Sequence, residues 1–417
     1  MQDPEKNSKV KKINGVRVCF EPEFVIGEGS DGTRVYIGLS EDGYERAVKR
    51  LLQNIGEELG LQEKDILNTL NAVDSKCIVR YWFYDEESNP AFAYLILDLC
   101  EETLEQYVND QSQEKLTENA PVIICQILEA LKDLHRKPKP VLHRDLKPSN
   151  IMRNVNDKWL LADFGLSRTL SDGRTTHRSA ESGTQFWRAV ETYPPEGTDD
   201  ANDDNKGRFK RKSDIQVAGI VAFYILTKGE HVFGSLLDRL GNLLRGKPTG
   251  LDSLTDPVAK EFISWMVQYK PEDRPYADEA LKHPYLLPPD QQFELLKCVG
   301  NEPEIKERNT SSVVAMKINA DPLLPESGWI SSIDSNLVQH VCRPHPYPDQ
   351  WAQCLRFIRN TSIHWNDNGG PPAAVQSAVG DPREYFLKLF PTLPAVVHRI
   401  IRNDPDWKEK ATLKKFF

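Results

Sequence analysis

Gly27, Gly29, Gly32, Lys49, Asp145, Asn150 and Asp163 stand in the order that metal-assisted phosphate chemistry needs. The three glycines lie between two alternating apolar runs, where backbone amides can approach phosphate oxygens with no Cβ in the way. A strand on both sides of the loop argues against a dinucleotide fold, which places a helix next. Lys49 ends the run Ala47-Val48-Lys49 and suits the α- and β-phosphates of a nucleotide. In the stretch His143-Arg144-Asp145-Leu146-Lys147-Pro148-Ser149-Asn150, Asp145 can orient a hydroxyl and accept its proton, and Asn150 can ligate magnesium. Asp163, followed by Phe164 and Gly165, supplies the main magnesium carboxylate.

A second set lies near the C-terminus. Trp351, Cys354, Leu355 and Ile358 recur at i, i+3, i+4 and i+7, which predicts a helix from about Asp349 with one buried face. Its open face then holds Arg356, Asn360 and His364, with Arg359 at the flank. Asn360 and His364 sit one turn apart and can touch a common ligand. A cation, a hydrogen-bond donor and an imidazole are what metal-free cleavage of RNA requires. A lone Arg-Asn-x-x-x-His would more often be an ordinary surface helix.

The elements that must position these groups change along the chain. Residues 1–13 are predicted to be a polar arm. Runs such as VRVCF, RVYIGL and AYLILDL, from Asn14 to about Leu99, predict strands, with one helical stretch near Leu61–Leu70. From Thr103 to about Leu287 the pattern turns mostly helical. Residues 197–213 are acidic, then basic, and poor in apolar side chains, as in a solvated insert. The last 130 or so residues have their own apolar periodicity and predict a second domain.

Over residues 20–287 the sequence resembles the eukaryotic protein kinase family, on the motifs just quoted. Gly183-Thr184 and Ala189-Val190-Glu191 match the end of an activation segment, with Val190 where the family has proline. Asp214 and Gly219 match a buried helix, and Arg274 is placed to pair with Glu191. The resemblance implies Lys147 as a further catalytic residue. It implies Val35, Ala47, Asp98 and Cys100 as nucleotide-binding positions. Lys49 needs an acidic partner from the small-lobe helix. Counted back from Ile78-Val79-Arg80, Asp65 is the first choice and Glu63 its competitor. Eight hydroxyl residues from Ser167 to Thr184, interleaved with Arg168, Arg174 and Arg178, suggest autophosphorylation.

From Val299-Gly300-Asn301-Glu302 through Leu355–Asn360 to Gly380–Phe386 and Phe390-Pro391, the chain resembles the kinase-extension nuclease family. That family comprises ribonuclease L and the unfolded-protein-response sensor kinase-endoribonuclease, and these blocks look closest to ribonuclease L. The implied architecture is α+β, a bilobal kinase (14–287, lobes divided at 99/100) followed by a mostly α-helical nuclease domain (288–417). The resemblance implies cleavage of single-stranded RNA by the 2′-hydroxyl, leaving a cyclic phosphate. His364 would be the general acid, and Arg359 and Asn360 would grip the phosphate. Tyr347 would meet the 2′-hydroxyl, although its proline-rich setting leaves a structural role open. His340 and His345 are read as non-catalytic. A homodimer, back to back through the kinases and in contact through the nucleases, is implied, with ATP or ADP and Mg2+ as cofactors and none for the nuclease step. Neither the ankyrin repeats of ribonuclease L nor the sensor's lumenal domain is present in this chain.

Composition restricts the setting. The formal net charge is −9, so any RNA contact needs a local basic site and not a whole-protein field. Residues 289–417 hold roughly equal acids and bases, which leaves the excess negative charge on the first part. Seven cysteines without a CxxC pair, no apolar h-region and no spanning apolar run point to the cytoplasm. Three readings remain: a dual kinase and endoribonuclease, a Ser/Thr kinase with a docking module, and a nucleotide-sensing scaffold.

Overall fold

The computed structural model describes residues 9–29, 32–170, 174–179, 183–193, 207–309, 311–342 and 346–417. The chain divides into two compact units, Met1–Leu254 with Ile263–Ala280, and Thr255–Phe262 with Leu281–Phe417.

The first unit begins with a seven-stranded antiparallel sheet. Its strands are β1 (Val10–Ile13), β2 (Val16–Cys19), β3 (Val25–Glu28), β4 (Arg34–Ser40), β5 (Glu45–Leu52), β6 (Tyr81–Asp85) and β7 (Phe92–Asp98). They are ordered β1-β2-β4-β5-β7-β6, with β3 on β4. Val10–Ile13, expected within a polar arm, is therefore a strand, and Ile13 is its buried end. Its alternation is too short to read from sequence; pairing with β2 across an Asn14-Gly15 turn makes it. Helix α1 (Gln53–Leu67) starts well before the expected Leu61 and crosses this sheet. Gly60, Glu63, Ile66 and Leu67 form its buried stripe.

The larger part of this unit is built on α2 (Gln113–Leu134) and α3 (Arg211–Leu226). Every residue of α3 from Ser213 to Leu226 is buried, as expected of a helix that is apolar on all sides. A Cβ on Gly219 would lie 2.8 Å from the Cβ of Met266, so glycine sets the close approach there. Of the expected insert, residues 197–206 lie outside the described residues. Gly207–Phe209 is not solvated loop but a strand paired with His177–Ser179, and burial of Phe209 against Leu142 and Leu170 fixes it.

The second unit is helical, from α4 (Pro289–Asn301), α5 (Val313–Asn319), α6 (Ser335–Cys342) and α7 (Trp351–His364) to α8 (Ala373–Val379), α9 (Pro382–Leu389) and α10 (Leu393–Arg402). Trp329, Phe357 and Phe386 are among its fully buried side chains. Trp351, Cys354, Leu355 and Ile358 of α7 are buried as their spacing predicts. Beneath this core Glu261 accepts from His283 Nε2 at 2.6 Å and pairs with Arg402 at 2.6 Å. Burial opposes that charge, but the His283 and Arg402 hydrogen bonds hold the Glu261 carboxyl down at about 2. No helix among the described residues is long and apolar enough to cross a membrane.

Two expected outcomes follow from this packing. A Cβ on Gly300 would lie 2.2 Å from the Leu355 carbonyl oxygen, so Gly300→Ala must push α4 from α7. Thermal unfolding should show a loss of about 1–3 kcal/mol, the usual cost of overpacking. Acid should also unfold this unit with a defined sign. The Glu261 carboxyl is depressed from 4.5 to about 2, so its contribution is complete above pH 4.5 and drains away as pH falls toward 2. Burial also lowers His283 and His398 below 6.5, so the unfolded chain takes those protons first and stability erodes from about pH 6.5 downward. Melting temperature against pH should lose its steepest acid limb in Glu261→Gln.

Candidate functional site

The first site forms where β5, α1 and the Asp163 loop meet. Burial works against a charge on Lys49, yet two carboxylates hold its ammonium above its ordinary value. Its Nζ lies 2.7 Å from Glu63 Oε2 and 2.9 Å from Asp163 Oδ1. The partner on α1 is Glu63 and not Asp65, the first choice from sequence. Two residues are about 200° of helix, so the face that buries Glu63 turns Asp65 to solvent. Glu63 Oε1 also accepts from the Phe164 amide at 3.3 Å, which ties α1 to the loop carrying Asp163. The lysine's positive charge lowers the Asp163 carboxyl.

Asp145 is held from three directions. Lys147 Nζ donates to its Oδ2 at 2.8 Å, Asn150 Nδ2 at 3.0 Å, and the Thr184 hydroxyl donates to Oδ1 at 2.7 Å. Buried Asp214 fixes the loop beneath by accepting the amides of His143 at 3.0 Å and Arg144 at 3.1 Å. Asn150 spends its amide nitrogen on Asp145, which leaves its carbonyl oxygen to ligate. That oxygen and the half-open Asp163 carboxylate are hard donors, a set that fits a hard divalent cation completed by phosphates and water.

Val35 stands opposite Lys49 in the β4–β5 register and Ala47 opposite Leu97 in β5–β7. Gly27 pairs with Val35, the Gly29 amide bonds the Thr33 carbonyl at 2.9 Å, and Gly32 takes φ +74°. The loop's Ser30 and Asp31 lie outside the described residues. Asp98 accepts from Trp82 Nε1 at 2.6 Å, and burial pushes the Cys100 thiol up to about 12.

Of the activation-segment hydroxyls, Ser167 is buried on the His143 carbonyl and Thr184 is bound to Asp145. Thr169 and Thr175 are exposed and Thr176 half-buried. Ser171 and Ser182, with the side chains of Arg178 and Ser179, lie outside the described residues. Around His177 the positive charges of Arg144, Arg168 and Arg174 add to burial and bring the imidazole down to about 4. Two buried guanidinium nitrogens of Arg144 have no hydrogen-bond partner among the described residues.

The second site is a cavity of about 330 Å3 in the helical unit. Its polar lining includes Arg308, His340, Tyr347, Arg356, Asn360 and His364, and Trp365 closes one wall. The Tyr347 ring leans on Phe357 at 5.4 Å and Trp329 at 6.4 Å, and its hydroxyl accepts from Asn360 Nδ2. The Asn360 carbonyl accepts from Arg359 Nη1 at 2.7 Å, and Arg359 Nε reaches Asn301 at 3.1 Å. Tyr347, Asn360 and Arg359 are thus one chain of hydrogen bonds. Among the described residues the cations that line the cavity are Arg308 and Arg356, near the Tyr347 ring at 5.9 and 5.5 Å, while Arg359 is occupied at the flank.

His364 Nδ1 lies 2.8 Å from Asp367 Oδ2, which leaves Nε2 as the ring nitrogen for a ligand. Sequence reasoning placed Arg356 on the open face but passed over Asp367 and Arg308. The i, i+3 spacing of His364 and Asp367 was the available signal for the first. Arg308 is distant in sequence and gave none. His345 lies outside the described residues.

The family described as "Protein kinase domain" matches residues 20–286, and that described as "Ribonuclease 2-5A" matches residues 292–417. Among similar proteins is the serine/threonine-protein kinase/endoribonuclease IRE2 of Homo sapiens, 29% identical over 407 residues. The "Sensor for unfolded proteins in the ER ire1" of Schizosaccharomyces pombe is 28% identical over 424 residues. A serine/threonine-protein kinase/endoribonuclease of Caenorhabditis elegans is 26% identical over 421 residues. These matches cover 93%, 94% and 97% of this chain but 41%, 38% and 41% of the relatives. The chain therefore spans about two fifths of their length. A kinase domain implies ATP and a divalent metal.

The Lys49 pairing gives a direct check. Glu63→Gln should lower phosphoryl transfer on the order of 10²-fold, the usual effect of misplacing a positioned charge. Asp65→Asn, at an exposed position, should leave transfer unchanged and stability within about 0.5 kcal/mol. Radiolabelled phosphate incorporation by the two variants separates the assignments.

Proposed function

We propose a dual reaction for this chain, which belongs to the protein kinase family and continues into a ribonuclease 2-5A extension. It phosphorylates itself and cuts single-stranded RNA. The observation that carries the second part is the cavity that collects His364, Asn360, Tyr347, Arg308 and Arg356.

In the kinase unit Lys49 meets the α- and β-phosphates, held between Glu63 and Asp163. Asp145 receives the proton of the attacking hydroxyl, while Lys147 and Thr184 fix its carboxylate. Asn150 and Asp163 would hold the divalent ion, magnesium in this reading, which when bound draws charge from the phosphate oxygens. Thr175 and Thr176 are the described hydroxyls best placed for self-phosphorylation. A phosphate there would meet the guanidinium cluster of Arg144, Arg168 and Arg174 and order the segment.

In the nuclease unit Arg308, Arg356 and the remaining N–H of Asn360 face the scissile phosphate. Arg359 keeps the Asn360 amide in that orientation. Tyr347 bonds the 2′-hydroxyl, and His364 Nε2 gives a proton to the departing 5′-oxygen, leaving a 2′,3′-cyclic phosphate. None of these steps calls on a metal. Nucleotide-bound kinase units pair back to back and bring two extensions together, so that ATP or ADP governs cleavage through a homodimer. Seven free thiols suit the reducing cytoplasm.

The test is cleavage of a defined single-stranded RNA with and without ATP or ADP. Asp145→Ala should abolish phosphate incorporation yet retain nucleotide-stimulated cleavage. His364→Ala should reduce cleavage at least roughly 10²-fold with phosphate incorporation intact. Intact RNA at high wild-type concentration would leave a kinase with a docking module.

A further inference from the structure

Cleavage by a 2′-hydroxyl moves two protons, one off the attacking oxygen and one onto the leaving oxygen. His364 accounts for the second. Of the other cavity groups, Arg308 and Arg356 are permanently protonated and accept nothing. The Tyr347 oxygen already accepts the Asn360 N–H, and a neutral phenol is a poor base near neutrality. Among the described lining residues a second imidazole remains besides His364, and that is His340, a side chain whose ring nitrogen can accept a proton.

Its placement is set by packing. Leu337, one turn earlier on α6, is fully buried, and Val341, the next residue, lines the same cavity. The helix is anchored while the imidazole stays exposed on the cavity side. We infer that His340 is the general base of the RNA-cleaving cavity, making it a two-imidazole site. This rests on the nuclease reading above and reverses the expectation that His340 is a bystander.

The step balances. The 2′-hydroxyl proton passes to the His340 ring nitrogen as the 2′-oxygen bonds to phosphorus. The P–O5′ bond breaks with its electron pair, and O5′ takes a proton from the imidazolium of His364, which Asp367 orients through Nδ1. The products are a 2′,3′-cyclic phosphate and a 5′-hydroxyl, with no oxidant, reductant or further reactant.

The experiment compares an ordinary single-stranded RNA with one whose scissile 5′-oxygen is replaced by sulfur, since a thiolate departs without a proton. Wild type, His364→Ala, His340→Ala, His340→Gln and His340→Lys are assayed for kcat and KM as folded full chains with matched melting temperatures. On ordinary RNA both alanine variants should lose roughly 10²-fold or more in kcat with little change in KM. On the sulfur substrate His364→Ala should recover and the His340 variants should not, whereas added imidazole should partly restore His340→Ala. An unchanged kcat in His340→Ala and His340→Gln overturns the inference, as does full activity in His340→Lys, which would mark a mere positive contact. Either result leaves the nuclease reading standing. Absence of cleavage by wild type on both substrates sinks both.

Discussion

Burying Lys49 is the constraint from which the kinase unit is organised. An ammonium removed from water is costly unless carboxylates meet it at hydrogen-bond range. One of them, Glu63, is itself almost wholly enclosed, so the helix bearing it cannot drift without leaving two unpaired buried charges. The other, Asp163, is brought in by a backbone held at φ +61°, in a region non-glycine residues rarely adopt. The Phe164 amide closes the circuit by bonding the second Glu63 oxygen. The small-lobe helix, Lys49 and the loop bearing Asp163 are thus one electrostatic object. Moving any member raises the energy of the other two, so a site of this kind is either assembled or visibly broken. Here it is assembled.

The helical unit solves a different problem, because the polar groups of its cavity sit on a largely open face. The exposed imidazole and the half-buried amide and guanidiniums have little burial to hold them, and order must come from beneath. Helix α7 supplies it by driving Trp351, Cys354, Leu355, Phe357 and Ile358 into the core, which fixes the rotation of the helix. Gly300 then lets α4 come close enough for Asn301 to catch Arg359, and Arg359 aligns Asn360. Tyr347 is steadied by ring contacts with Trp329 and Phe357. The hydrogen-bonded chain runs across the face at the margin of the cavity. Arg359 is thus held between Asn301 and Asn360.

The division between what the sequence disclosed and what it withheld follows from this. Bilobal order, the Lys49–Asp145–Asn150–Asp163 constellation and the buried stripe of α7 were all legible, because each depends on local period or on motifs read in order. The choice between Glu63 and Asp65 was not, because a helix start at Gln53 had to be known before its buried face could be drawn. Val10–Ile13 acquires strand character only by pairing with β2, which composition cannot show. The strand at Gly207–Phe209 is likewise a product of its partner, His177–Ser179. Arg308 reaches the Tyr347 pocket from a distant segment, so no spacing in one stretch could have grouped it with His364, and His340, seven residues before Tyr347, was read as a bystander because nothing local showed that α6 turns it to the cavity.

Electrostatics connects the open site to the proposed dimer. The chain carries a net −9, so RNA meets no attractive long-range field and must be captured at short range. Among the described residues the guanidiniums that line the cavity are those of Arg308 and Arg356, and each can neutralise one phosphate. Binding to a single strand gains from counterion release in proportion to phosphates neutralised, so two contacts give only a weak grip. A second extension placed beside the first would double the cationic contacts along one strand. It would also convert the second contact into an intramolecular one, with the affinity gain that linked sites bring. A weak single site is thus compatible with the proposed control by pairing: on that reading an unpaired extension would release RNA before it is cut.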